Sequence, residues 1–182
     1  MKKRMFFIFI GVLIIITESF SQESVLASKV LRINAINPGI EYEAPLFNQS
    51  TFSINVGVGY GGSHPNLTTY ASGWLYLIAT FADIYYRNYY NLEKRLKKSK
   101  SIQYNAGNFF GLRMLTRGKA LSSNFSRTSD YDFAIGPTCG LQRSFGKINL
   151  LFDIGFVYYF DTKGNDGFVP TLELNIGYNF GL

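Results

Sequence analysis

Eight charged side chains sit within segments that otherwise read as β-strand: Glu41, Glu43, Asp83, Asp153 and Glu173, with Arg87, Arg113 and Arg32. Unpaired charges in a narrow interior cost too much free energy to persist, so these groups are expected to pair. Two uses follow from that set. The charges can form a salt-bridged plug that fills and stiffens the interior, or the acidic excess can line a cation-selective pore. The lumen of an eight-stranded barrel is just wide enough for its own side chains, which favours the plug.

His64 is the single histidine and follows Ser63 directly. A histidine beside a serine invites a nucleophile and base. Adjacent residues on an extended chain point to opposite sides, however, and no acid is placed to orient the imidazole. No catalytic residue is assigned. Lys94, Arg95, Lys97, Lys98 and Lys100 concentrate much of the net charge of +6 in one short run. In an exported chain that run reads as a solvated turn, or as contact with lipid phosphates, and nucleic acid is not expected as a partner. Tyr85, Tyr86, Tyr89 and Tyr90 just before it read as an aromatic girdle at an interface. Cys139, the one cysteine, excludes a disulfide framework and is expected to be an apolar filler on an outer face. No zinc-spaced Cys/His cluster, Gly-rich phosphate loop or catalytic carboxylate pair is present, so no metal or cofactor is expected.

The elements that must position these groups begin after residue 21. Met1-Lys2-Lys3-Arg4, the apolar run from Met5 to Ile16 and the small residues of Ser19-Phe20-Ser21 predict a secretory signal peptide, with cleavage after Ser21. The apolar run is too short for a spanning helix, which needs about 20 residues. Residues 22–182 are then expected to form one domain. Aromatic content is 17% and the chain holds 18 glycines, yet mean hydropathy is only +0.04. Strands that are apolar on one face and polar on the other account for all three.

Alternation with a period of two runs through most of that domain. Phe52, Ile54, Val56, Val58 and Tyr60 share a face against Thr51, Ser53 and Asn55. Ile148 to Phe160 and Leu172 to Leu182 repeat the pattern, leaving Asn149, Asp153, Glu173 and Asn175 on the polar side. Three less regular strands are predicted over Trp74–Tyr90, with Asp83, Tyr85 and Arg87 inward, over Gln103–Met114, with Arg113 inward, and over Tyr131–Ser144. Pro137 is an awkward residue in the last of these, because it cannot donate to a ladder. Between Lys29 and Ala44 the phase changes at Asn37-Pro38-Gly39. That segment reads as two strands joined by a turn or as one bulged strand. Two strands bring the count to the even number expected of such barrels, about eight. Long connections at Gly61–Gly73, Arg117–Asp130 and Asp161–Gly167 then lie outside the cell, and short ones at Phe47–Gln49, Asn91–Lys100 and Phe145–Lys147 lie within.

The runs Asn37-Pro38-Gly39-Ile40-Glu41-Tyr42-Glu43 and Asn55-Val56-Gly57-Val58-Gly59-Tyr60 resemble those of small outer-membrane β-barrel proteins of Bacteroidota. So do Tyr89-Tyr90-Asn91-Leu92 with Lys94-Arg95, and Ile135-Gly136-Pro137 with Gly140-Leu141-Gln142. The resemblance implies an outer-membrane barrel and carries no assigned activity. The expectation is therefore an all-β, antiparallel up-and-down transmembrane barrel in contact with outer-membrane lipid. Its role would be structural or surface interaction, with an unidentified partner outside the cell or in the periplasm. A barrel that modifies lipid or handles a small solute is the alternative; a secreted soluble barrel that binds an apolar ligand, with apolar residues inside, is a third. Export of the full chain should yield a product beginning at Gln22, read by N-terminal sequencing. A product retaining Met1 would refute the cleavage site.

Overall fold

The computed structural model describes residues 26–60 and 76–181, so the predicted signal peptide, His64 and Ser63 lie outside the described residues. Eight antiparallel strands close into one up-and-down barrel in sequence order, β1 pairing with β2 and also with β8. They are β1 (Val30–Asn34), β2 (Gly39–Phe47), β3 (Ser50–Tyr60), β4 (Leu77–Asn88), β5 (Asn108–Ser123), β6 (Asp132–Phe145), β7 (Ile148–Asp161) and β8 (Asp166–Gly181). The start of β1 and the end of β8 meet at one end, called here the terminal end. The turns after β1, β5 and β7 lie at the other, the loop end.

The phase change near Asn37 is a turn between two strands, and the bulged single strand does not occur. The two halves are unequal, at 5 and 9 residues. Gly57 explains how so short a hairpin seats against β3. A Cβ there would stand 2.1 Å from the Pro38 carbonyl oxygen, and its absence lets that oxygen accept a hydrogen bond from Val58 N–H at 2.9 Å. Pro137 sits within β6 all the same. It pairs with Leu112 of β5, while the β6–β7 ladder skips Gly136 and Pro137, so the missing donor costs one local break and not the strand.

Three boundaries differ from those predicted. Gln103–Asn105 is a 3-10 turn, and β5 begins only at Asn108. At its other end β5 runs on to Ser123, so much of the predicted loop Arg117–Asp130 is strand. Alternation had decayed there because Gly118, Lys119 and Ala120 carry little apolar signal. The connection Asn91–Lys100 contains helix α1 (Leu92–Lys97), whose Leu92 is fully buried. Leu92 packs with Tyr89, Phe109 and Leu151, and with Leu26 and Ile102, closing the terminal end with apolar side chains. Among the described residues no helix is long and apolar enough to cross a membrane.

The faces are sorted as the alternation requires. Phe110, Leu112, Met114, Ile154, Leu172, Leu174 and Ile176 are exposed on the outside, and Cys139 lies among them. Aromatic pairs gather toward both ends of that face. Phe133 stacks on Phe160 at 5.2 Å and Tyr158 meets Phe168 at 5.2 Å near the loop end. Tyr178 with Phe180 at 5.0 Å and Tyr90 with Phe110 at 5.1 Å lie near the terminal end. Because Gly57 admits the Pro38 carbonyl, Gly57→Val should destabilise the barrel by about 1–3 kcal/mol, measured as the urea midpoint of the refolded protein. The outward Val56→Ile should leave that midpoint in place, and equal midpoints for both variants would refute the role of Gly57.

Candidate functional site in the barrel interior

Strand alternation sends one side chain in two into the lumen, and the inward positions hold the predicted charges. Arg32, Glu41, Glu43, Asp83, Arg87, Arg113, Asp153 and Glu173 are all buried. They form two connected groups at successive heights. Nearer the terminal end, Arg32 Nη1 donates to Glu41 at 2.7 Å and Nη2 to Glu43 at 3.3 Å, while Nε donates to Asn179 at 2.8 Å. Arg87 holds the other oxygen of Glu41 at 2.7 Å. Glu43 also accepts from Thr51 at 2.7 Å and from the Tyr89 hydroxyl at 2.8 Å.

One layer higher, Arg113 donates to both oxygens of Asp83, at 3.1 and 2.6 Å, and forms an ion pair with Glu173 at 2.8 Å. That guanidinium therefore ties β5 to its neighbour β4 and to β8 across the lumen. Among the described residues Asp153 has no arginine within ion-pair distance, and it accepts a 2.6 Å hydrogen bond from the Tyr85 hydroxyl. The Tyr85 ring lies beneath two cations, 4.3 Å from the Arg87 guanidinium and 5.1 Å from that of Arg113, which joins the two groups. A buried charge stripped of its partner is costly, and a shared aromatic face spreads that dependence over both layers.

The girdle reading fails for Tyr89, and for Tyr85 it gives way to the inward placement that the phase of its strand predicts. Tyr85 and Tyr89 are buried in the lumen, whereas Tyr86 and Tyr90 face outward. Phase counted from Asp83 and Arg87 identifies Tyr85 and Tyr89 as inward; clustering of tyrosines conceals it. A third charged group escaped the sequence reading. Arg127 donates to Asp132 at 2.7 Å, and Arg117 stands 3.9 Å from the same carboxylate. Arg127 reaches Asp132 from the connection after β5, where a side chain's direction has no periodicity to reveal it. The basic run on and after α1 leaves Lys94, Lys97, Lys98 and Lys100 exposed, while Arg95 bonds the Ser101 carbonyl at 2.8 Å.

Among the described residues no group of three or more His, Cys, Asp or Glu side chains is placed to hold a metal ion. The arrangement can bind, brace and repel charge. No family model, no curated protein and no solved structure matches this chain. Arg113→Met leaves Asp83 and Glu173 buried without their cation and should cost about 3–5 kcal/mol. The triple variant Arg113→Met, Asp83→Asn, Glu173→Gln should recover most of that loss in the same chemical unfolding measurement. A single variant as stable as the parent would show that the crossbar carries no weight.

Proposed function

We propose that this chain is exported and resides in an outer membrane as a small β-barrel. Its interior is a non-conducting salt-bridged plug, and its role is structural or one of surface interaction. The observation that carries the reading is the inversion of ordinary globular burial. The lumen holds Arg32, Glu41, Glu43, Asp83, Arg87 and Asp153, while the most exposed of the large apolar side chains, Phe168 at 79% and Leu172 at 69%, point away from it. An outer face so apolar is unfavourable in water and suits lipid, with aromatic clusters at the two levels where a bilayer meets water. The soluble alternative requires the opposite sorting.

The plug reading is supported by contacts that cross the lumen. Arg113 to Glu173 spans β5 to β8, and Tyr85 to Asp153 spans β4 to β7. Below them Tyr89, Phe109 and Leu151 obstruct the terminal end. Ions would need to break these contacts in series. The terminal end then faces the periplasm and the loop end the exterior.

Fractionation of cells expressing the full chain should recover it in the outer membrane, with a heat-dependent shift in electrophoretic mobility. In planar bilayers the purified protein should show no steady conductance. A soluble periplasmic or secreted product without the mobility shift would overturn the membrane reading. A stable ohmic current would overturn the plug.

A further inference from the structure

Above the Arg113 crossbar, toward the loop end, the interior changes character. A space of about 750 Å³, part of it inside the lumen and part on the outer face, is walled on the inside by Leu115, Ala134, Val157 and Val169, with Arg113 at its floor and Arg117 above. This lies within the roughly 300–1,000 Å³ of small-molecule sites. The same space is also lined by Cys139, Ile154, Phe156, Pro170 and Leu172 of the outer face. Val169 and Thr171 face one side of β8 and Pro170 and Leu172 the other, so the space continues from the lumen to the outside of the wall.

β7 and β8 pair without interruption from Ile148 to Phe160, which leaves a strand edge as the way from one face to the other. Between β6 and β7 the backbones are pressed together, since a Cβ on Gly136 would fall 2.3 Å from the Phe156 carbonyl oxygen. β8, in contrast, pairs with β1 only from Gly177 to Gly181, and the Ala35 N–H adds one bond to Ile176 O. Among the described residues no strand pairs with that side of β8 between Asp166 and Asn175, because β1 is only 5 residues long.

Arg117 sets the chemistry of an occupant. It makes no hydrogen bond among the described residues, and its one ion pair there, at 3.9 Å, is to a carboxylate that Arg127 already holds at 2.7 Å. Its guanidinium donors are matched to a carboxylate. Apolar walls lead from it to the outer face. Resting on the reading of that face as lipid-facing, we propose that the chamber binds a single-chain fatty acid. Its carboxylate sits at Arg117, and its chain runs along Leu115, Val157 and Val169 past the β8 edge toward Leu172. The chamber is a dead end, because Arg113 with Asp83 and Glu173 closes its floor. It receives a ligand from the side and does not pass one through.

The test is photolabelling of the full chain in phosphatidylcholine vesicles with palmitate bearing a diazirine on the carbons next to its carboxylate end, followed by peptide mapping. Adducts are expected at Leu115, Val157 or Val169. Arg117→Gln should lower their yield roughly tenfold, the scale of a lost hydrogen bond to a charged group, and Val157→Trp should abolish them by filling the space. Uncharged hexadecanol with the same label should react as weakly with the parent as palmitate does with Arg117→Gln. Labelling confined to Phe156 and Leu172, equal inward yields in parent and variants, or inward labelling by diazirine-tagged phosphatidylcholine as strong as by palmitate would each overturn the proposal. Heat-dependent mobility, measured on the parent and both variants, reports the membrane barrel separately. Its retention alongside a failed labelling result would sink the fatty-acid site alone.

Discussion

The guanidinium of Arg32 is the interaction on which closure of this barrel depends. β1 is the shortest strand, and it must pair with the first and the last long segments at once. Five residues of ladder on each side are little to seal an edge that would otherwise stay open. Arg32 adds side-chain bonds in both directions, to Glu41 and Glu43 on β2 and to Asn179 on β8. From that seam the contacts spread around the wall: Glu41 is shared with Arg87 of β4, and Glu43 with Thr51 of β3 and with Tyr89.

The interior is stratified along the barrel axis. Apolar packing around Leu92 and Phe109 closes the terminal end, paired charges bridged by the Tyr85 ring fill the middle, and a roomier apolar chamber lies toward the loop end. Buried ion pairs are poor sources of net stability, because desolvation offsets much of their attraction. Their value here is geometric. Arg32, Arg87 and Arg113 each reach carboxylates on another strand, so a shifted register would leave buried charges without partners. The short β1 that makes this seam necessary also leaves the upper edge of β8 without a strand partner among the described residues.

Legibility in the sequence followed periodicity. β3, β7 and β8 could be read almost residue by residue, since Phe52, Ile54 and Val56 or Leu172, Leu174 and Ile176 alternate without interruption. The inward charges were legible for the same reason: Asp83, Arg87, Arg113, Asp153 and Glu173 fall in phase with the polar face. Where apolar residues thinned out, at Gly118 to Ala120, the end of β5 was lost. α1 was hidden because six residues are too few for a helical period to stand out against a basic run.

The amino-acid order by itself determined the all-β class, the sorting of faces along the regular strands and most of the charges that meet inside, because a residue's parity along a strand is a local property. Which of those side chains touch was decided only by the tertiary structure. The pairing of Arg113 with Glu173, the bond from Tyr85 to Asp153 and the reach of Arg127 to Asp132 depend on the relative stagger of strands and on a connection without periodicity. Stagger is a global quantity, set when β1 closes on β8, and no segment read alone contains it.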